Sequence, residues 1–197
     1  MLDKDNRLLI TRAMSLIMSL TMALFCVSCG ESKSDDSTMT ESLLNSYMKA
    51  LCDYNIGAMN KCCMAKHDLY DDGEAALKSC VSIASRIEWK CDNISIDGSS
   101  AIAQVIITMP NDIESICSAA LGDTVTILDG GSENDPAGLL ASAIKKRVQK
   151  AESVTVSAEV AMTKVDNKWY IVNSLGVNRI LSDVRTPVAS VFSIIQS

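Results

Sequence analysis

The sequence predicts an α+β domain, because its apolar residues change spacing along the chain. Leu43, Leu44, Tyr47, Met48, Leu51 and Cys52 recur at helical intervals. Ala101, Ala103, Val105, Ile107 and Met109 alternate, and Val154, Val156, Ala158, Val160 and Met162 alternate again. A shift from a period of about 3.6 to a period of 2 separates a helical layer from a sheet. Strands apolar on one face need that layer to cover them.

The elements follow in order. Thr40 is placed to cap the first helix, and a second short helix runs from Ile56 towards Met64. A third follows Asp72 and Gly73, with Ala76, Leu77, Cys80, Val81, Ala84 and Ile87 as its apolar stripe. Trp89, Cys91, Ile94 and Ile96 lead to the turn Asp97-Gly98-Ser99, and the alternating run from Ala101 to Met109 returns as the second strand of a hairpin. Ile113, Ile116, Cys117, Ala120 and Leu121 predict a short helix, and Thr124 to Leu128 a brief strand. Asp135-Pro136 suits a helix start, with Leu139, Leu140, Ala143, Ile144 and Val148 on the buried side. The run from Val154 to Met162, the turn at Asp166-Asn167 and the closing strand Trp169, Tyr170, Ile171 and Val172 make the second hairpin. Trp169 and Val156 are expected in the core. In the tail, Thr186 and Pro187 can start a helix whose Val188, Val191, Phe192 and Ile195 form a stripe too short to stand alone in water. It is expected to dock on its own domain rather than on a partner.

The first thirty residues have three zones suited to export. Lys4, Arg7 and Arg12 are basic; residues 13–30 carry no charge and include Leu16, Ile17, Leu20, Leu24 and Phe25; Val27 and Ser28 lead into Cys29-Gly30. Small residues before a cysteine resemble the lipobox of bacterial lipoproteins, with Cys26 where that pattern prefers leucine. A membrane-spanning helix is the competing reading of the uncharged stretch. Ser15, Ser19, Thr21 and Ser28 within it, and the polar run Glu31 to Ser37 after it, weigh against that reading. The resemblance implies cleavage before Cys29 and lipidation of that cysteine, two chains being enough for stable anchoring at the outer face of the cell membrane. The organisation expected is a signal peptide at 1–28, a lipidated cysteine and flexible tether at 29–39, an α+β domain at 40–182 and a C-terminal amphipathic helix at 183–197.

Charge excludes one class of partner. The full chain carries −6, and loss of residues 1–28 removes three basic and two acidic residues, leaving about −7. Nucleic acid is not expected, since Lys145, Lys146, Arg147 and Lys150 are the only basic cluster and read as the solvated face of a helix.

No catalytic constellation stands out. The single histidine, His67, sits between Lys66 and Asp68 in a polar connection and reads as solvent-exposed. Glu159 falls on the polar face of its strand. Gly130 to Asp135 is an acidic loop without the spacing of a calcium-binding hand. Cys52, Cys62, Cys63, Cys80, Cys91 and Cys117 could pair as three disulfides or stay reduced, and buried thiols are favoured because several lie in apolar stripes. Cys63 and His67, four apart, would share a face on a helix, but no second Cys/His pair completes a zinc site. No cofactor or metal is expected.

The segment Leu51-Cys52-Asp53-Tyr54-Asn55, the two late hairpins and the ending Asp166-Asn167-Lys168-Trp169-Tyr170-Ile171-Val172 resemble the cystatin-like or nuclear-transport-factor-two-like lipoproteins of Gram-positive bacteria. The resemblance spans about Thr40 to Leu181 and implies N-terminal helices packed on a curved antiparallel sheet; the segment from Asp123 to Ala151 is longer than that fold needs. Because the sequence names no polar groups converging inside the sheet, the leading reading is a non-catalytic module that binds a small apolar ligand, a peptide or an envelope protein. The alternative is a pocket enzyme of the isomerase or dehydratase kind, which would need polar groups converging inside the sheet.

Overall fold

A computed structural model of the chain describes residues 35–68, 73–131 and 135–196. Cys29, the expected signal peptide and the first part of the expected tether lie outside these residues. The described elements are α1 (Asp35–Cys52), α2 (Ile56–Cys62), α3 (Glu74–Ala84), β1 (Glu88–Asp97), β2 (Ser100–Pro110), α4 (Ile113–Asp129), α5 (Pro136–Val148), β3 (Ser153–Val165), β4 (Lys168–Asn173) and α6 (Leu175–Ile195). The fold is α+β, with one antiparallel sheet in the order β1-β2-β3-β4. The β2 to β3 connection makes a detour through α4 and α5.

Cross-strand register builds the buried face of the sheet. Ala101 faces Met162, Ala103 faces Val160 and Val105 faces Ala158, so small residues stand opposite larger ones. Trp89, Cys91, Ile94 and Ile96 pair with Ile107, Val105, Ala103 and Ala101. The three-residue step from Cys91 to Ile94 is absorbed by a bulge, which keeps all four on one face. Cys91 is nonetheless exposed, because β1 is an edge strand whose middle no helix covers. The opposite face is solvated. There Gln104 Nε2 donates to Glu159 Oε1 at 2.7 Å, and the Thr108 and Thr155 hydroxyls meet at 3.1 Å. Both turns need left-handed backbone: Gly98 adopts φ 55°, and Asp166 and Asn167 adopt φ 48° and 61°. Glycine, aspartate and asparagine tolerate that region best, and two such residues in a two-residue loop match the twist of the hairpin.

Four sequence expectations are corrected by packing. Helix α1 already includes Asp35, inside the segment expected as tether, and Thr40 does not cap it: Thr40 is buried, its hydroxyl donating to the Asp36 and Ser37 carbonyls at 2.9 and 3.0 Å. Thr124 to Leu128 is the last part of α4 rather than a strand. Cys117, Ala120 and Thr124 form one buried helical stripe while Val125 and Ile127 are exposed, so tertiary burial overrides the β-branched local preference. On α3 the buried stripe is Ala76, Ser79, Cys80, Ile83 and Ala84, and Leu77 and Val81 face solvent. The tail helix does not start at Thr186. It begins at Leu175 and runs through Pro187, which a long helix packed along its length can accommodate.

Helix α6 lies on the domain, packed on β3, α3, α4 and α5. Val177, Ile180, Val184, Val188, Val191 and Phe192 are all buried. Its first turn sits unusually close to the sheet: a Cβ placed on Gly176 would lie 2.5 Å from the Ala158 Cβ. Trp169 is buried at 2% exposure, as the closing strand requires. Val156, expected in the core, is 36% exposed. Its partner Ile107 is fully covered, so the helical layer closes over β2 but leaves this end of β3 open.

Candidate functional site

Two places gather chemistry. The first is the opening beside Val156, a groove of about 750 Å³ between β3, the end of β2, the start of α4 and the inner side of α6. Val154 and Val156 lie in its floor with Ala158, while Gly176, Ile180, Pro187 and Val191 line it from α6. The close approach at Gly176 presses the start of α6 onto Ala158, and the strand residues before that point stay uncovered. Proline has no N–H to give the Asp183 carbonyl, so the helix is also locally short of one hydrogen bond where it borders the groove.

The rim is polar and mostly acidic: Asp112, Glu114 and Asp183 line it with one cation, Arg179. Arg179 Nε is 3.8 Å from Asp183 Oδ2. Asp112 caps α4 from a left-handed conformation (φ 52°), accepting the Ser115 N–H at 3.1 Å. Hydrogen bonds from the Ser115 side chain and backbone hold its carboxyl below the usual range, so it stays ionised. Cys117 is the one buried titratable group in the lining, and burial pushes its thiol up to about 12.

The second place is a polar cluster where Tyr47 of α1 meets Ser174, just before α6, and the loop after α2. Tyr47 is completely buried, and its hydroxyl lies 2.6 Å from Ser174 Oγ and 3.4 Å from His67 Nε2. Ser174 Oγ in turn donates to Asn178 Oδ1 at 3.4 Å. The same His67 nitrogen is 3.8 Å from Cys63 Sγ. Burial pushes the Tyr47 phenol up, lifts the Cys63 thiol to about 11 and depresses His67, so all three are neutral at pH 7.

This corrects the expectation that His67 is solvent-exposed. The ring is half-buried and lies nearly parallel to that of Tyr47, at 22° with centroids 6.3 Å apart. The helical face that Cys63 and His67 would share does not form either. Cys63 ends α2 in extended backbone and makes a parallel bridge to Ile171. Tertiary structure brings the pair together by another route, through a short loop clamped at both ends. Met64 N–H donates to the Ile171 carbonyl at 2.9 Å, and Asn60 takes the His67 N–H on its Oδ1 at 2.6 Å and donates from Nδ2 to the His67 carbonyl at 3.0 Å.

Other sequence candidates are dispersed. The six described cysteines are thiols, with Cys62, Cys80 and Cys117 buried, Cys52 and Cys63 half-buried and Cys91 exposed. Among the basic cluster, Arg147 is paired with Asp123 at 2.7 Å on the outer surface of α5. Asp135 caps α5 through the Gly138 N–H at 2.9 Å. No described helix is long and apolar enough to cross a membrane. The groove carried one sequence signal, five alternating apolar residues on β3 where the burial allows three, but nothing in the sequence showed which two would stay open. Comparison with known proteins gave no matching family model and no matching curated relative.

Proposed function

We propose that this chain is an extracytoplasmic bacterial lipoprotein, anchored in the outer face of the cell membrane by lipid on Cys29, whose cystatin-like or nuclear-transport-factor-two-like domain is a non-catalytic binding module. The sequence zones around Cys29 support the anchor. The observation that carries the binding role is the apolar strip Val154 and Val156, left open on the floor of a concave groove. Concave, mostly apolar sites with a few placed polar groups are where ligands bind.

Charge selects the occupant. Three carboxylates against one arginine favour a peptide segment of an envelope protein that presents apolar side chains to the floor and basic ones to the rim. The strip is narrow and flanked by a helix, which suits an extended segment.

Two measurements test the reading separately. Intact mass of the membrane-extracted protein is expected to show an N-terminus at Cys29 bearing a diacylglyceryl group; a retained 1–28 segment or a bare cysteine overturns the anchor. Arrayed peptides alternating apolar and basic residues are expected to bind the mature protein and to lose binding to Val156→Asp, whose melting temperature should barely move because the position is already exposed. Unaltered binding by that variant overturns the groove assignment.

A further inference from the structure

We infer that the segment bound in the groove is held as an added strand, antiparallel to β3 and hydrogen-bonded to the free main-chain edge of residues 153–157. The inference rests on the groove reading above and adds what that reading leaves open, the way the segment is held.

Register shows which main-chain groups are free. The Lys164 N–H donates to the Ser99 carbonyl and the Asn111 N–H to the Glu152 carbonyl, both at 2.8 Å. Between those two bonds the β2 to β3 register runs unbroken, from the Ser100 and Thr163 pair to the Pro110 and Ser153 pair. In an antiparallel ladder a residue turns its N–H and C=O to one neighbouring strand, and the next residue turns them to the other. The even-numbered residues of β3 therefore bond to β2, and Ser153, Thr155 and Ser157 direct their main-chain groups away from it. Farther along, the odd-numbered Thr163 and Val165 pair with Tyr170 and Lys168 of β4. That ladder ends where Ala161 meets Asn173, and the chain then turns into α6. Among the described residues no strand takes up the rest of the edge.

Two other edges of the sheet are guarded, and this one is not. β1 carries a bulge between Cys91 and Asn93 and the charges of Glu88, Lys90 and Asp92. β4 is bridged at Ile171 by Cys63. Bulges, charges and coverage keep a strand from pairing with another chain. Residues 153–157 read Ser-Val-Thr-Val-Ser, uncharged, free of proline and exposed throughout. Ser157, with its free main-chain groups, lines the groove beside Val154 and Val156, so the open edge borders it.

An added strand fixes the phase of the bound segment, because residues opposite one another in a ladder share a face. Those opposite Val154 and Val156 lay apolar side chains in the groove and turn their own N–H groups outward. Those opposite Ser153, Thr155 and Ser157 bond to β3 and stand on the solvated face, where Glu159 favours basic side chains. Strand addition draws affinity from main-chain bonds and selectivity from alternate side chains. Charge disfavours a second copy of this chain, which would bring the same Asp112, Glu114 and Asp183 rim to the interface. A basic segment of an envelope protein has the complementary charge.

The test uses the mature protein and an array-derived peptide of alternating apolar and basic residues, with a single backbone N-methyl group placed at each position in turn. Methylation at a basic position removes a donor to β3 and is expected to weaken binding about tenfold or more, and at an apolar position less than about threefold. This series needs no protein variant to fold. On the protein, Thr155→Pro deletes an edge N–H without breaking a bond to β2, a place where strands accept proline, and is expected to weaken the unmethylated peptide about tenfold. Equal losses at both sets of positions, or losses at the apolar set alone, overturn the inference. So does a dimer of the mature protein in sedimentation that Thr155→Pro dissolves. Val156→Asp separates the two claims. If it abolishes binding while methylation shows no alternation, the groove stands and the added strand falls; if it leaves binding intact, both fall.

Discussion

The indole Nε1 of Trp169 donates a 2.9 Å hydrogen bond to Asp36 Oδ1, tying the first turn of α1 to the closing strand of the sheet. The same oxygen takes Lys164 Nζ at 2.5 Å, and Lys164 stands directly across from Trp169 in the β3–β4 ladder. One carboxylate thus latches α1 onto a cross-strand pair. This contact helps hold α1 helical before Thr40, because Asp36 is fixed to the sheet by Lys164 and Trp169.

Acid should release that latch. The hydrogen bonds from Lys164 and Trp169 depress the Asp36 carboxyl below its ordinary range. Its folded pKa is below its unfolded one, so its stabilisation is complete above the unfolded value and lost as pH falls through the folded one. Asp36→Asn is expected to melt lower than the original protein at pH 7, with the two curves converging as pH falls below the ordinary carboxylate range. Parallel melting curves across the whole range would show that the carboxylate's charge has no part in holding α1.

Trp169 itself contributes more through burial than through its hydrogen bond. Trp169→Ala is expected to cost about 3 to 5 kcal/mol, and Trp169→Phe distinctly less, since most of the apolar packing survives. Denaturant unfolding of the two variants side by side checks the order.

Two glycines should respond in opposite senses. Gly176→Ala drives a methyl into Ala158, 2.5 Å away, and is expected to destabilise by about 1 to 3 kcal/mol. Gly122, on the exposed side of α4, has nothing within 4 Å of a new Cβ. Gly122→Ala is expected to stabilise by about 0.5 to 1 kcal/mol through helix propensity alone. Equal effects from both would mean that α6 is not pressed onto β3 at this point.

The second half of α6 is expected to be structural. Val188, Val191 and Phe192 are buried at 1%, 5% and 3% exposure. Deleting residues 183–197 should lower the melting temperature by several degrees at least, since each kcal/mol lost shifts a domain of this size by roughly 2 to 4 °C. A melting temperature that stays put would turn this helix from a covering element into a surface for partners.

Binding in the groove should respond to salt. The Asp112, Glu114 and Asp183 rim attracts a basic segment across solvent, where the screening length is about 8 Å at physiological ionic strength. Peptide affinity is expected to drop as salt is raised from 0.05 to about 0.5 M, and Glu114→Lys to weaken it at low salt more than at high. Salt-independent binding would assign the affinity to the apolar floor alone.

The sequence by itself determined the element types wherever periodicity and turn chemistry agreed. The alternating run on β3, the left-handed pair Asp166-Asn167 and the buried Trp169 were all legible, because a strand's two-residue period and a tight turn's backbone demands are local properties. The bulge in β1 appears only in the register, which absorbs the three-residue step from Cys91 to Ile94. Tertiary structure decided everything that depends on what comes to rest on what. Thr124 to Leu128 became helix because Thr124 had a buried place on α4. Residues expected as tether before Thr40 are helical, and there Asp36 meets Lys164 and Trp169 more than a hundred residues away. Both candidate sites are of this second kind. Val156 is open because α6 settles on Ala158 through Gly176, and His67 meets Cys63 and Tyr47 because Asn60 and Ile171 clamp a loop. A residue's spacing shows which face of its own element it occupies, but burial depends on the neighbour that arrives, and that neighbour is set by contacts far apart in the chain.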